Sequence, residues 1–420
     1  MRRGVILLLV CLSITPALFA QVAKAKESLQ AKKLAEAKTL IDEALKSETI
    51  QKSYDAWYTK TKVYNAIAMD PVMSKQYPRA RMEAFDAFKK YLATDDKMLI
   101  TLQIDGYQPI NDIYTGFYQE AANSFNNKQY AKAYEQFTNA IMVSGLMNEK
   151  GWIKMKLDTN SVLYAGVAAE KLNHTTDAVK YYGQLVEAKV EGTGYVEIYK
   201  WVANYYFEAK QPSLASHYLL IGKEVYPEDP FWASLELDMT REKGDQDALF
   251  TLYEKTILAE PTNHLYRYNY AVELYQAGYN VDATKRPANS DELIEKAISH
   301  IGKAIQLKPG YSKAQLFAGQ IQYNKGVDFL NKSKTITGST VEDVKTKADL
   351  KTAAIEKFDL ASPYLQAVAQ ILDTQGKLTA SDKADLKEAY DLLMIIYEQK
   401  NMKDKAKEYE TKFNEVDKKH

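Results

Sequence analysis

An alanine followed four residues later by a bulky side chain recurs along nearly the whole chain of 420 residues. Ala133 precedes Phe137 in this way, and Ala178 precedes Tyr182. Residues four apart lie on the same face of a helix, so each step marks one helical stripe of small and bulky side chains. A stripe that returns this often predicts a succession of helix packed on helix, not one compact core. The same step begins at Ala37, Ala84, Ala215, Ala248 and Ala297.

A second helical pattern, with small residues of its own, comes before each of these stripes. Gly166 and Ala203 belong to such preceding helices, and Ala178 and Ala215 belong to the helices that follow them. Small side chains at both places allow two antiparallel backbones to approach closely, and aromatic rings at the flanking positions fill the remaining space. The sequence therefore predicts antiparallel helix pairs.

The stretch KAIQLKPGYSKAQLFAGQ, residues 303–320, shows how one pair is expected to end and the next to begin. Pro309 disfavours helical geometry in the residue before it, and Gly310 is expected to allow the chain to reverse. Helical spacing resumes at once with Phe317 and Gly319. The proline and glycine therefore predict a corner between consecutive repeats.

Together these patterns resemble the tetratricopeptide repeat, W-x2-L-G-x2-Y followed by A-x3-F and a proline, with a period of about 34 residues. Ala178, Ala215 and Ala248 recur at intervals close to that period. The resemblance implies an all-α fold, a right-handed α-solenoid of antiparallel helix pairs with helical insertions. We expect eight to nine pairs over residues 21–420, a hinge near 145–158 and an extended helical hairpin at about 312–371.

Residues 1–20 have the pattern of a secretory signal peptide. Arg2 and Arg3 precede an apolar run, and Ala20 provides a small residue for cleavage. The apolar run is too short to span a membrane, so we expect no membrane insertion after cleavage. The stretches 163–188 and 323–333 also resemble exported tetratricopeptide proteins of Gram-negative bacteria, which implies a periplasmic or secreted protein.

Composition and motifs argue against chemistry in the exported chain. The 55 basic residues balance the 55 acidic ones, which is unlike proteins that bind nucleic acid. Cys11 is the only cysteine and lies in the signal peptide, so disulfides and thiolate sites are excluded. The five histidines stand far apart, and Gly192 and Gly194 lack the third glycine of a phosphate loop. We predict no catalytic residue, metal ligand or cofactor, and hence no enzyme.

Aromatic residues are the remaining candidates for function, because the chain has 31 tyrosines. Most are expected to pack helix on helix. Lys200 and Asn204 match two residues of the clamp by which some family members hold a peptide carboxylate, whereas Ser234 breaks the match in the next repeat. The family likeness implies that further first-helix residues face a concave groove and contact a partner: Tyr58, Tyr118, Phe125, Phe207, Tyr268, Tyr275 and Tyr323.

The function that this architecture predicts is a non-enzymatic scaffold. Stacked helix pairs form extended concave surfaces, and such surfaces ordinarily bind segments of other proteins. The expected partner is thus a protein or peptide, not nucleic acid. The alternative is a glycan- or nutrient-binding envelope protein built on tetratricopeptide helices. Such proteins usually carry a lipidated cysteine and a large aromatic-lined insertion, and the exported chain lacks that cysteine.

Overall fold

The computed structural model describes residues 19–94 and 99–420, and within these ranges the chain contains helices and no β-strand. A 3-10 turn, Ala283–Lys285, lies between two of the helices. In chain order the helices are α1 (19–30), α2 (Leu34–Ala44), α3 (Glu48–Gln51), α4 (Tyr54–Met69), α5 (Met73–Gln76), α6 (Ala80–Thr94), α7 (Leu99–Ile104), α8 (Gln108–Asn126), α9 (Tyr130–Glu149), α10 (Thr159–Lys171), α11 (Thr175–Glu187), α12 (Tyr195–Glu208), α13 (Pro212–Val225), α14 (Phe231–Lys243), α15 (Gln246–Ala259), α16 (His264–Gly278), α17 (Ser290–Leu307), α18 (Ser312–Thr335), α19 (Val341–Leu372), α20 (Ala380–Gln399) and α21 (Lys403–Lys419).

The longer helices follow one another as antiparallel pairs, which confirms the predicted all-α solenoid class. The chain divides into two compact units, one ending at Leu235 and one beginning at Glu236, so the division falls within α14. Residues 145–158, where a hinge is predicted, lie inside the first unit. The first unit holds the pairs α1/α2, α4/α6, α8/α9, α10/α11 and α12/α13; the second holds α16/α17, α18/α19 and α20/α21 after α15.

Tight turns join the two helices of most pairs. At five of these turns a non-glycine residue adopts a left-handed backbone, with φ between 55° and 59°. The next residue then bonds back five positions, as in the 2.8 Å bond from the Gln129 N–H to the Ser124 carbonyl. This closure satisfies the last carbonyls of the first helix and returns the chain antiparallel to it. The five left-handed residues are Lys32, Lys128, Asn173, Lys210 and Asn401.

Small residues bring the paired helices together, as the sequence predicts. A side-chain carbon added at Gly166 would lie 2.6 Å from the Tyr182 ring, and one added at Gly319 would lie 2.7 Å from Leu365. Ala203 is completely buried. Close packing of the paired helices therefore requires glycine at Gly166 and Gly319, because a side chain there would overlap its neighbour.

The corner at Pro309 lies where it is predicted, because α17 ends at Leu307 and α18 begins at Ser312. Gly310 lies in the turn at this corner, but it is not among the glycines with a positive φ, so the turn does not use a left-handed glycine. The corner is held by hydrogen bonds instead. The Gln315 side-chain amide donates to the Pro309 carbonyl at 3.1 Å, and the Tyr311 N–H donates to the Lys308 carbonyl at 3.0 Å.

The predicted packing role of the tyrosines is confirmed for many of them. Tyr199, Tyr253, Tyr270 and Tyr390 are among the largest fully buried side chains. Burial of rings of this size contributes much of the hydrophobic stabilisation that cysteine-free helix pairs need.

The predicted signal peptide lies outside the described residues apart from Phe19 and Ala20. Among the helices described, none combines the length and the apolar composition that crossing a membrane requires. The segment from Ser312 to Leu372 forms two long helices, of 24 and 32 residues, that pack against each other.

Candidate functional site: partner-binding surfaces

The predicted partner-binding residues fall in both units and differ widely in exposure. The first unit contains Tyr58, Tyr118, Phe125, Lys200, Asn204 and Phe207; the second contains Tyr268, Tyr275 and Tyr323.

Tyr58 and Tyr275 are buried, with 4% and 9% of their surfaces exposed, so they are core residues and not surface contacts. Each uses its hydroxyl inside its unit. The Tyr58 O–H donates to Asp105 Oδ2 at 2.6 Å, and the Tyr275 oxygen accepts from the Asn324 amide at 2.9 Å. Burial raises the pKa of the Tyr58 hydroxyl, and the bond to Asp105 raises it further. Tyr58 therefore stays a neutral donor that positions Asp105.

Tyr118 and Phe125 come together on α8 in an aromatic cluster with Phe137 and Tyr164. The Phe125 ring lies 6.4 Å from Phe137 and 5.2 Å from Tyr164, and Tyr118 lies 6.0 Å from Phe137. Tyr164 stacks on Phe137 at 5.6 Å and is 37% exposed. The sequence analysis did not select Tyr164, because it lies two residues before Gly166, whereas Tyr118 and Tyr268 each lie three residues before the small residue of their helix.

Lys200 is engaged within its own unit. Its ammonium donates to Asp229 at 2.7 Å and to Glu197 at 3.0 Å, and the Asp229 bond is the largest cause of its raised pKa. We call Glu197, Lys200 and Asp229 the Lys200 cluster. Asn204, one turn further along α12, is exposed, and Phe207 is half-buried beneath the Lys210 ammonium. Lys200 and Asn204 thus do not form an open carboxylate clamp.

In the second unit, Tyr268 and Tyr275 meet at Phe317. The ring centroids lie 6.1 Å and 5.5 Å from Phe317, respectively. Tyr323 packs on Phe358 of the following helix at 5.6 Å. Tyr268 and Tyr323 are half-buried, so their rings contribute to packing and keep part of their surface exposed.

A polar cleft that the sequence analysis missed lies between α4 and α8 in the first unit. It has a volume of about 360 Å³, at the small end of ligand sites, and is lined by Asn65 and Met69 of α4, Gln108 and Asp112 of α8, and Lys62 with Asp105. We call it the Asn65 cleft. On α4, Tyr58, Lys62, Asn65 and Met69 follow one another at helical spacing, and this polar stripe in a first helix was the available signal.

Hydrogen bonds fix part of this cleft and leave part of it unsatisfied. The Gln108 amide donates to Asp112 Oδ1 at 2.6 Å, and the Asn65 amide nitrogen lies 3.4 Å from Asp112 Oδ2. Asn65 is only 5% exposed, and its Oδ1 has no hydrogen-bond partner. The Tyr58 bond and the Lys62 ammonium lower the pKa of Asp105 although burial opposes them, so Asp105 is ionised.

The histidines and carboxylates are the residue types that could bind a metal ion. Across residues 19–94 and 99–420, no group of three His, Cys, Asp or Glu side chains is arranged to hold a metal ion. His264 and His300 are each flanked by tyrosine rings, and burial lowers the pKa of both. They are packing residues.

Comparison with known proteins finds similarity at the level of solved structures. No protein-family model and no curated protein matches the chain. A tetratricopeptide-repeat protein from Bacteroides fragilis shares 19% identity over 70% of this chain and 97% of its own, with a TM-score of 0.28. The C-terminal part of a tetratricopeptide-repeat protein from Cytophaga hutchinsonii shares 14% identity over 82% of this chain and 93% of its own, with a TM-score of 0.32. PilF from Pseudomonas aeruginosa shares 14% identity over 59% of this chain and 93% of its own, with a TM-score of 0.25.

Proposed function

We propose that this protein is a non-enzymatic scaffold that binds a partner protein or peptide through its tetratricopeptide-like helix pairs. The observation that carries the proposal is a succession of helix pairs whose first helices present polar and aromatic side chains. Repeated helix pairs ordinarily use such surfaces to bind protein segments. The signal-like pattern of residues 1–20 supports a site of action outside the cytoplasm, in the periplasm or beyond.

The residues proposed to contact the partner are those that keep exposed surface. Tyr118 and Phe125, together with Tyr164, form one aromatic contact patch in the first unit. Asn204 contributes an exposed side-chain amide. Phe207, Tyr268 and Tyr323 are further proposed contacts, with smaller exposed areas.

The test is cross-linking in the native cell envelope followed by capture of the tagged protein and identification of the attached chains. We expect a defined partner that is lost in a Tyr164→Ala, Asn204→Ala double variant. The control is Met402→Ala, because Met402 has a similar exposed fraction to Tyr164 but lies in the second unit. Recovery of the protein from the cytoplasmic fraction, or capture of no partner, would contradict the proposal.

A further inference from the structure

We infer that the Asn65 cleft binds the guanidinium group of an arginine side chain on the partner, so this inference rests on the proposed function and names part of the chemistry that the partner must carry. The occupant is deduced from the hydrogen-bonding balance of the cleft, its charge and its apolar wall.

The first step is the unsatisfied carbonyl of Asn65. The Asn65 amide nitrogen faces the Asp112 carboxylate, which accepts hydrogen bonds only, and this fixes the orientation of the amide. Asn65 Oδ1 is then a buried acceptor without a donor. A buried polar atom left without a partner destabilises the fold, so a ligand that donates a hydrogen bond to it recovers free energy on binding.

The second step is the charge of the cleft. Asp105 and Asp112 contribute two negative charges, and Lys62 contributes one positive charge. The Lys62 ammonium lies 3.3 Å from Asp105 Oδ2, and its side chain is 41% exposed, so this ion pair is weak and easily displaced. Tyr58 bonds to the same oxygen, which leaves Asp105 Oδ1 for a further donor. The cleft is therefore rich in acceptors and carries a net negative charge, and it would repel a carboxylate.

The third step is the shape of the cleft and its wall. Met69 is 62% exposed at one side, and Ala66 and Pro109 add further apolar surface. A buried acceptor beside an apolar wall suits a long side chain whose aliphatic stem packs on the wall while its head reaches inward. Guanidinium has five donors and no acceptor, which matches Asn65 Oδ1, Asp105 and Asp112 better than any neutral group.

The cleft is also organised before binding. The Tyr58 O–H holds Asp105, and the Gln108 amide holds Asp112. Carboxylates that are already oriented lose little conformational entropy when a ligand arrives.

The experiment titrates the purified protein with a capped Ala-Arg-Ala peptide and with the same peptide in which citrulline replaces arginine, using ligand-observed nuclear magnetic resonance. Citrulline keeps the shape and removes the charge. The cleft variants are Asn65→Leu and Asp112→Asn, and circular dichroism verifies that each is folded. The matched control is Asp86→Asn, which removes an exposed carboxylate from α6 in the same unit.

We expect the arginine peptide to bind and the citrulline peptide to bind about tenfold more weakly, the cost of one charge-assisted hydrogen bond. Each cleft variant should weaken arginine binding by a similar factor of about ten, and Asp86→Asn should leave it unchanged. Equal binding of the two peptides, or unchanged binding in both cleft variants, would overturn the inference. Tighter binding of spermidine than of the peptide would instead assign the cleft to a small-molecule cation and overturn the assignment to a partner's arginine.

The inference and the proposed function fail separately. If envelope cross-linking captures a partner and the Asn65→Leu, Asp112→Asn double variant captures it equally well, the scaffold function stands and the cleft has no part in it. If no partner is captured from wild-type cells, the proposed function itself fails.

Discussion

The Asn65 cleft and the Lys200 cluster contain the same kinds of charged groups, but they differ in whether their polar atoms have hydrogen-bond partners inside the protein. Each lies on the first helix of a pair in the first unit, and each combines one lysine with two carboxylates. In the Lys200 cluster the ammonium lies within 3.0 Å of both carboxylates, and Asp229 also accepts the Phe231 N–H. In the cleft the Lys62 ammonium lies farther from its carboxylate, 3.3 Å from Asp105 Oδ2, and the Asn65 carbonyl has no hydrogen-bond donor.

The difference shows that charge at the surface of a helix stack does not by itself mark a binding site. A group that its own fold has satisfied must break existing bonds before it can bind a partner, which cancels most of the gain. A group that has no partner in the folded chain breaks no bond on binding, so it gains the whole free energy of the new hydrogen bond. Lys200 is therefore held in a structural role, whereas the unpaired carbonyl of Asn65 is the group on which the proposed arginine site rests.

The largest expected effect comes from disturbing the residue that ties the cleft walls together. Arg81 on α6 donates to Glu120 of α8 at 2.8 Å and to the Ala68 carbonyl of α4 at 3.2 Å, and Gly116 leaves room for its guanidinium. The methyl of Gly116→Ala would displace that group, so we expect the free energy of unfolding to fall by about 3 kcal/mol. Chemical denaturation measures this loss.

The control for that variant is Gly145→Ala. Gly145 has open space around its added carbon, so we expect stability to rise by about 0.5 kcal/mol through reduced backbone entropy in the unfolded chain. Equal stability of the two variants would refute the role of Arg81 as the tie between α4 and α8.

The next effect tests the satisfied cluster. Lys200→Met leaves Asp229 without its ammonium in a site where the aspartate side chain is only 20% exposed. We expect a loss of about 2 kcal/mol in the free energy of unfolding. Lys189→Met is the matched control, because its pair with Glu224 is exposed and should contribute less than about 0.5 kcal/mol. A Lys200→Met variant as stable as this control would remove the distinction between the two sites.

The same cluster predicts a pH dependence. Burial pushes the pKa of Asp229 upward, but the Lys200 ammonium and the Phe231 N–H outweigh it and hold the pKa below the ordinary value of 3.8. A carboxyl with a depressed pKa stabilises the fold above its ordinary pKa and loses that contribution as the pH falls through the folded value. The stability difference between wild type and Lys200→Met should therefore shrink below pH 3.8. The measurement is chemical denaturation of both proteins at pH 7 and at pH 3. A difference in unfolding free energy between wild type and Lys200→Met that is equally large at the two pH values would contradict this expectation.

The smallest expected effect is that of Asn65→Leu. Because this change removes an unpaired buried carbonyl and only a long contact to Asp112, we expect stability to stay within about 0.5 kcal/mol of wild type or to rise. Asn324→Leu, which removes a 2.9 Å bond to Tyr275, should cost about 1 kcal/mol. If Asn65→Leu proved the more destabilising of the two, Asn65 would be a structural residue and the comparison would fail.

Much of the fold could be read from single helices. The alanine steps at Ala178 and Ala215, the glycine at Gly166 and the proline at Pro309 act through local spacing and close approach, and the structure uses them as predicted. The site could not be read in the same way. Tyr58 was predicted to contact a partner, yet it is buried and positions Asp105, a residue that lies 47 positions away in sequence.

The sequence by itself determined that this chain forms antiparallel helix pairs, because helical periodicity and the alternation of small and bulky residues are local properties that each segment carries alone. The tertiary structure alone decided which polar groups are satisfied, because their partners come from other helices: Asp229 for Lys200, and Asp112 for Asn65. Polar recognition depends on that second property, since a polar group that the folded chain leaves unpaired gains more free energy from a new hydrogen bond than a group whose existing bonds must first be broken.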